Sequence, residues 1–318
     1  MELVEKMLSG NQLALARLIT LLENRADDLP EIMRTVYPHT GNAYCLGVTG
    51  PPGAGKSTLV DELTSVMRQR GLTVGIVAVD PTSPFTGGAL LGDRIRMQKH
   101  YLDDDVFIRS LATRGSYGGL SASAKCIVKA LDAFGKDVII VETVGVGQTE
   151  LEIIEAVDTI LVVMVPEAGD TIQTMKAGLM EIADIFAVNK ADREGATQMA
   201  AELRAMLSGR QIPTYWEIPV IETEASNSIG IEELYAEIEH HREVLSETDQ
   251  LSARRRKQRE GELIEIVQRR IKEQIIARMK KEERFSSLVR KIADGEIDPY
   301  SASNEIFSDR ALLQDCFQ

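Results

Sequence analysis

Gly50-Pro51-Pro52-Gly53-Ala54-Gly55-Lys56-Ser57 fits G-x-x-x-x-G-K-[ST], the pattern of a phosphate-binding loop. The apolar Tyr44-Cys45-Leu46-Gly47-Val48 precedes it and predicts a buried strand. Thr58-Leu59-Val60-Asp61-Glu62-Leu63 follows it and predicts a helix. A loop between strand and helix aims backbone N–H groups and the positive helix end at one point, which draws phosphate. Lys56 is placed to reach the β- and γ-phosphates and Ser57 to ligate Mg²⁺. The competing explanation is a chance match in a glycine-containing turn. A strand before and a helix after weigh against it, so a bound nucleoside triphosphate is expected.

Around this loop, strand-like and helix-like segments alternate from Gly41 to about Val244. The strands are expected at Tyr44–Val48, Thr73–Val79, Val106–Leu111, Asp137–Val141, Thr159–Val165, Ile185–Val188 and Tyr215–Ile221. Such alternation predicts an α/β fold with a mostly parallel sheet covered by helices on both faces. Ligands of such sheets sit at the carboxyl ends of the strands. The expected division is an N-terminal helical segment over 1–40, a P-loop nucleotide domain over 41–244 and a C-terminal helical arm over 245–318. In the first, Gly10-Asn11 breaks a helical pattern and Pro30 starts another short helix. In the last, Leu263, Val267, Ile271, Ile275 and Met279 recur every fourth residue, widened by Ile264, Ile266 and Ile276. That stripe needs a cover, and a second copy of the chain is the favoured one. Arg254-Arg255-Arg256-Lys257 reads as a solvated helix face. Phe285–Phe307 reads as a helical hairpin broken by Gly295 and Pro299.

Composition narrows the function. The chain has 318 residues, 44% hydrophobic and 27% charged, as in ordinary globular proteins. Its net charge of −13 argues against general nucleic-acid binding, which needs a basic footprint. Cys45, Cys126 and Cys316 lie far apart, without disulfide or metal spacing, and are expected to be reduced thiols in a cytoplasmic protein. Met1–Lys6 is not a secretory signal, and the longest apolar run, Ile160–Val165, is of strand length, so no membrane role is expected. His39, His100, His240 and His241 show no metal spacing and are expected to be structural or exposed.

Asn189-Lys190-Ala191-Asp192 closes the apolar Ile185–Val188 and has the N-K-x-D form by which guanine is chosen. A carboxylate at Asp192 can accept from both N1–H and the exocyclic amine of guanine, whereas adenine offers neither donor there. Such a paired contact discriminates by about 1–3 kcal/mol. Asn189 would buttress the loop and the stem of Lys190 would lie along the ring. Alone, the four residues could be a turn after a strand; downstream of a phosphate loop they point to GTP and GDP. Glu142 ends another apolar strand, Asp137–Val141, and suits the surroundings of Mg²⁺. Gly145 suits a backbone N–H to the γ-phosphate, and Gln148 is a candidate for orienting the attacking water. Asp80, after Val74–Val79, and Asp93 are candidate Mg²⁺ ligands, directly or through water. A helix N-cap explains Asp93 as well.

Together these motifs resemble the MeaB/ArgK-type GTPases over nearly the whole chain. The likeness rests on Gly47–Thr58, Val79-Asp80-Pro81-Thr82-Ser83-Pro84, Gly88–Asp93, Thr113-Arg114-Gly115, Glu142-Thr143-Val144-Gly145-Val146-Gly147-Gln148 and Asn189–Asp192. It extends to Gly295–Tyr300 in the tail. The resemblance implies nucleotide contacts from Gly50 through Thr58, and from Thr223-Glu224-Ala225-Ser226-Asn227 through Glu224 and Ala225. It implies a homodimeric GTPase, slow alone and faster with its partner. That partner would be an adenosylcobalamin-dependent acyl-CoA mutase, whose cofactor loading the GTPase gates and which it protects. Pro166–Gln173 matches the loop that would relay nucleotide state, with Glu167-Ala168 departing from the family pair. Two alternatives use similar sequences: a small-molecule kinase of the arginine/ornithine transport type, and a metallochaperone GTPase. The first would usually prefer ATP, against Asn189–Asp192. The second needs Cys or His clusters that the spacing does not supply.

Overall fold

In every strand the odd and even residues go to different cores, as the period of two requires. Cys45, Ile139, Val141, Ile160 and Val162 join one apolar cluster; Leu46, Val48, Ile140, Leu161 and Val163 join the other. These are strands buried on both faces, which is why they read as continuous apolar runs. The computed structural model describes residues 2–24, 28–80, 98–100, 102–112, 119–143, 157–166, 179–208, 215–279 and 283–308. Within them the strands are β1 (Tyr44–Thr49), β2 (Val74–Asp80), β3 (Val106–Ala112), β4 (Val138–Thr143), β5 (Thr159–Met164), β6 (Ile185–Asn189) and β7 (Val220–Thr223). They form one sheet in the order β3-β2-β4-β1-β5-β6-β7, and every neighbouring pair is parallel. The seven expected strands are all present; β7 is shorter than Tyr215–Ile221 predicts and is centred later.

Helices cover both faces. α1 (Glu2–Leu8), α2 (Gln12–Glu23) and α3 (Leu29–Val36) lie on the first core. The break between α1 and α2 works as expected: Asn11 caps α2 by accepting from Ala14 N at 2.8 Å. Leu15, Leu18, Ile19 and Leu22 fill one stripe of α2, each almost wholly buried. On the second core lie α4 (Lys56–Gln69), through Leu59, Leu63 and Met67, and the helix Ile231–Glu247, through Leu234 and Ile238. Burying each such leucine stabilises the fold by about 1.5–3 kcal/mol. In chain order after α4 come α5 (Gly119–Ala133), α6 (Leu179–Ile182), α7 (Ala196–Ser208), the helix just placed as α8 (Ile231–Glu247), α9 (Gln250–Met279), α10 (Glu283–Ala293) and α11 (Pro299–Ser308). α10 and α11 are the two arms of the predicted hairpin. The chain divides into two compact units, 1–255 and 256–318.

The amino edge of the sheet is held by aspartates. Asp105, Asp137, Asp158 and Asp184 each stand one residue before a strand, β3 to β6 in turn. Asp105 pairs with Arg68 of α4 at 2.6 Å, and Asp137 accepts from Thr73 N at 2.7 Å. Asp158 accepts from Cys45 N at 2.9 Å and Asp184 from Ile160 N at 2.8 Å. The second turn of α9 locks onto the last two. Arg254 reaches both Asp184 oxygens, at 2.7 and 2.9 Å, and the Asp158 carbonyl at 2.6 Å. Arg255 forks onto the Asp158 carboxylate at 2.8 and 2.6 Å and onto the carbonyls of Gly41 and Ala43. The expectation of a solvated basic face therefore fails for these two arginines and holds for Arg256 and Lys257, which are exposed. Beside the clamp, His241 of α8 is wholly buried. Its Nδ1 lies 2.7 Å from Thr159 Oγ1, and its ring 4.6 Å from the Trp216 ring. Burial holds its imidazole down at about 4, with Asp184 working against the shift and Arg254 with it.

Candidate functional site

The site forms at the opposite, carboxyl edge, where β1 gives way to the phosphate loop. The loop needs glycine at two points. Gly50 has φ 143°, and a Cβ there would lie 2.0 Å from the Val163 carbonyl oxygen of β5. Gly55 has φ 85°, and its Cβ would meet the Asn189 side-chain amide nitrogen at 2.5 Å. Neither position has room for a side chain. Gly55 also caps α4 without offering a side-chain acceptor to the first-turn N–H groups, the arrangement that suits a phosphate oxygen.

Lys56 and Ser57 open α4 and are both buried. The Lys56 ammonium folds over the loop and donates to the carbonyls of Gly50 at 2.7 Å and Pro51 at 2.9 Å. Its charge is thus held at the start of the loop, directly after β1. Ser57 Oγ donates to Glu142 Oε1 at 2.6 Å. Glu142 lies on β4, opposite Val48 of β1 and Ala78 of β2 in register. Thr143 Oγ1 donates to Thr49 Oγ1 at 3.0 Å, pinning the two strand ends together. Asp80 ends β2, one strand further along. A serine hydroxyl, a buried carboxylate and a second carboxylate-bearing residue at adjoining strand ends are the oxygen donors that a Mg²⁺ ion takes. Ser57 and Glu142 therefore fit the ion, and Asp80 stands at the neighbouring strand end. Thr58 is exposed at the start of α4.

The N-K-A-D segment joins this loop through one side chain. Asn189, buried at the end of β6, donates from Nδ2 to the Ala54 carbonyl at 2.8 Å. Its Oδ1 accepts from Thr223 Oγ1 at 3.3 Å and from Ala225 N at 3.1 Å. Asn189 thereby ties the phosphate loop to the segment after β7 that holds Glu224 and Ala225. Lys190 takes φ 59°, turning the chain so that Asp192 emerges exposed. Glu224 N and Ile229 N exchange bonds with the carbonyls of Ile229 and Glu224 at 3.0 and 3.2 Å, closing a small loop. Asp93, Gly145 and Gln148 lie outside the described residues, as does most of Pro166–Gln173.

The family follows from comparison with known sequences. A model of "Methylmalonyl Co-A mutase-associated GTPase MeaB" matches residues 15–280. The chain belongs to the MeaB family. A relative from Pyrococcus abyssi is 52% identical to this MeaB-family chain, over 97% of it and 96% of the relative. "GTPase ArgK" of Escherichia coli is 33% identical, over 91% of the chain and 88% of its own length. The crystal structure of an LAO/AO transport system kinase superposes with a TM-score of 0.72 at 26% identity, covering 96% of this chain and 95% of that one. This MeaB-family member thus shares its fold with that protein over nearly the whole of both chains.

Sequence reasoning missed two groups of residues. Arg254 and Arg255 act on aspartates far away in sequence. Glu62, on α4, accepts from Ser228 Oγ at 2.7 Å and from Lys99 Nζ. The signal available for the first was the aspartate standing immediately before each apolar run. For Glu62 the signal was a pair of adjacent carboxylates, Asp61-Glu62, inside a helix otherwise rich in apolar residues.

Proposed function

We propose that this MeaB-family chain binds and hydrolyses GTP, and acts as a homodimeric chaperone for an adenosylcobalamin-dependent acyl-CoA mutase. The observation that carries the nucleotide half is Asn189, whose amide joins the phosphate loop to the guanine-type loop. Base identity and phosphate position are thereby read by one connected unit. The family's association with methylmalonyl-CoA mutase supports the partner.

Catalysis rests on positioning and charge. The N–H groups of Gly53 to Ser57 and the Lys56 ammonium would hold the β- and γ-phosphates. Ser57, Glu142 and Asp80, with Asp93, would hold Mg²⁺, which supplies neutralisation of charge on the transferring phosphoryl group. Lys56 would exchange its carbonyl partners for phosphate oxygens, which reward the same donor with a charge-assisted bond. Asp192 would accept from the guanine edge, Lys190 would lie along the base, and Glu224 and Ala225 would close the pocket. Gln148 would orient the attacking water and Gly145 would contact the γ-phosphate. No arginine stands among the residues assigned to the phosphates, consistent with slow turnover until a partner orders the site.

The C-terminal arm supports self-association: Leu263, Ile264, Val267, Ile271 and Ile276 of α9 are exposed and recur at helical spacing. The experiment follows adenosylcobalamin entering the apo-mutase by absorbance, with the chain and GTP, GDP or no nucleotide. Loading governed by GTP supports the chaperone role; loading indifferent to the chain and its nucleotide overturns it.

A further inference from the structure

α4 carries Lys56 and Ser57 at its start, and over its next two turns it carries a ladder of polar groups on one face. Asp61 and Glu62 are almost fully buried. His100 Nε2 lies 3.0 Å from the Asp61 carbonyl and 3.1 Å from Ser65 Oγ. Arg68 reaches Asp103 at 2.8 Å and Asp105 at 2.6 Å. These contacts fix the short turn Gln98–His100 and the residues leading into β3 along the helix.

Glu62 sits in the middle of this ladder and has two partners from distant parts of the chain. Lys99 Nζ donates to its Oε1, and Ser228 Oγ donates to its Oε2 at 2.7 Å. Burial works to raise the Glu62 carboxyl, and the Lys99 and Ser228 bonds outweigh it, so it stays ionised below the usual carboxylate range. Ser228 closes the 3-10 turn Ala225–Asn227 with a left-handed φ of 57°. The loop after β7 is therefore held at two points: Ala225 N by Asn189, and Ser228 by Glu62.

We propose that Glu62 is a positioning residue for base recognition: its carboxylate, fixed by Lys99, holds Ser228 and so sets the loop of Glu224 and Ala225 where a guanine base is to be met. The Glu62 carboxylate bonds to Lys99 and Ser228, and it reaches the phosphate loop only by way of the Ala225–Asn189–Ala54 link, so it acts more strongly on base affinity than on phosphate affinity. The proposal rests on the guanine reading above. Two ligands distinguish the two ideas, a fluorescent GDP analogue and pyrophosphate, which has no base.

The full chain is titrated as wild type, E62A, E62Q, S228A and E62A/S228A. E62A and S228A are each expected to weaken GDP binding about tenfold, as losing a hydrogen bond to a charged group does. The double variant should bind no more weakly than E62A, and E62Q, which keeps an acceptor for Ser228, should recover most of the affinity. Pyrophosphate affinity should fall by much less than GDP affinity in every variant. Ser228 is exposed, so S228A tests the bond without disturbing the core. Equal losses of GDP and pyrophosphate, or effects of the two substitutions that multiply, overturn the proposal. A wild type that binds pyrophosphate but not GDP overturns the guanine reading, and the proposal with it.

Discussion

His241 makes the stability of this chain depend on pH in a defined window. The ring is wholly buried between Thr159, Trp216 and Asp184, and burial lowers its pKa from 6.5 to about 4. A base that binds protons less well when folded than when unfolded favours the folded state at high pH. Its contribution is fully present above pH 6.5 and is lost as pH falls from there to about 4. Each unit of that gap is worth about 1.36 kcal/mol, so the whole amounts to about 3 kcal/mol. Between pH 7 and pH 5 the loss is about 2 kcal/mol. That is a large share of the 5–15 kcal/mol, roughly, by which a domain is stable. The assay is urea unfolding of wild type and His241→Asn at both pH values. The fluorescence of Trp216, the only tryptophan in the chain, reports on it, since its ring touches His241. Other groups titrate in both proteins, so the quantity to read is the difference between them. It should shift against the wild type by about 2 kcal/mol on going to pH 5. A difference that does not change with pH refutes the reasoning.

Four further substitutions test other parts of the account. Arg255→Ala leaves the buried Asp158 carboxylate without its forked partner and should cost about 3 kcal/mol in urea unfolding, whereas Lys257→Ala should cost nothing measurable. Gly50→Ala puts a Cβ 2.0 Å from the Val163 carbonyl oxygen and should abolish GTP binding in a fluorescence titration while far-UV circular dichroism is unchanged. Asp192→Asn removes the exposed carboxylate proposed to meet the base and should lower GTP affinity by about tenfold to a hundredfold, with the melting temperature unchanged.

Much of this was legible in the chain because it is encoded locally. The phosphate loop declares itself in eight consecutive residues, and the strand and helix around it decide its meaning. The strands read clearly because parallel strands buried on both faces are uninterrupted apolar runs. β7 was placed too early because Tyr215–Ile218 continues the apolar look of the strand without joining its ladder. The ionic architecture was not legible. Asp158 and Arg255 stand 97 residues apart, and Glu62 and Ser228 stand 166 apart, so no window along the sequence contains both partners. The basic run 254–257 looked uniform, yet the fold uses its first two residues as anchors and leaves the next two to solvent. The Asn189 clasp lay between these extremes: its motif marked the residue, and only the fold revealed that its amide touches Ala54.

The most direct test of the central claim is single-turnover hydrolysis of GTP, with ATP as control, with and without an adenosylcobalamin-dependent acyl-CoA mutase from the same source. The account predicts slow cleavage of GTP, none of ATP, and a rate that rises when the mutase is present. Cleavage of ATP as fast as GTP, or a GTP rate indifferent to the mutase, would contradict it.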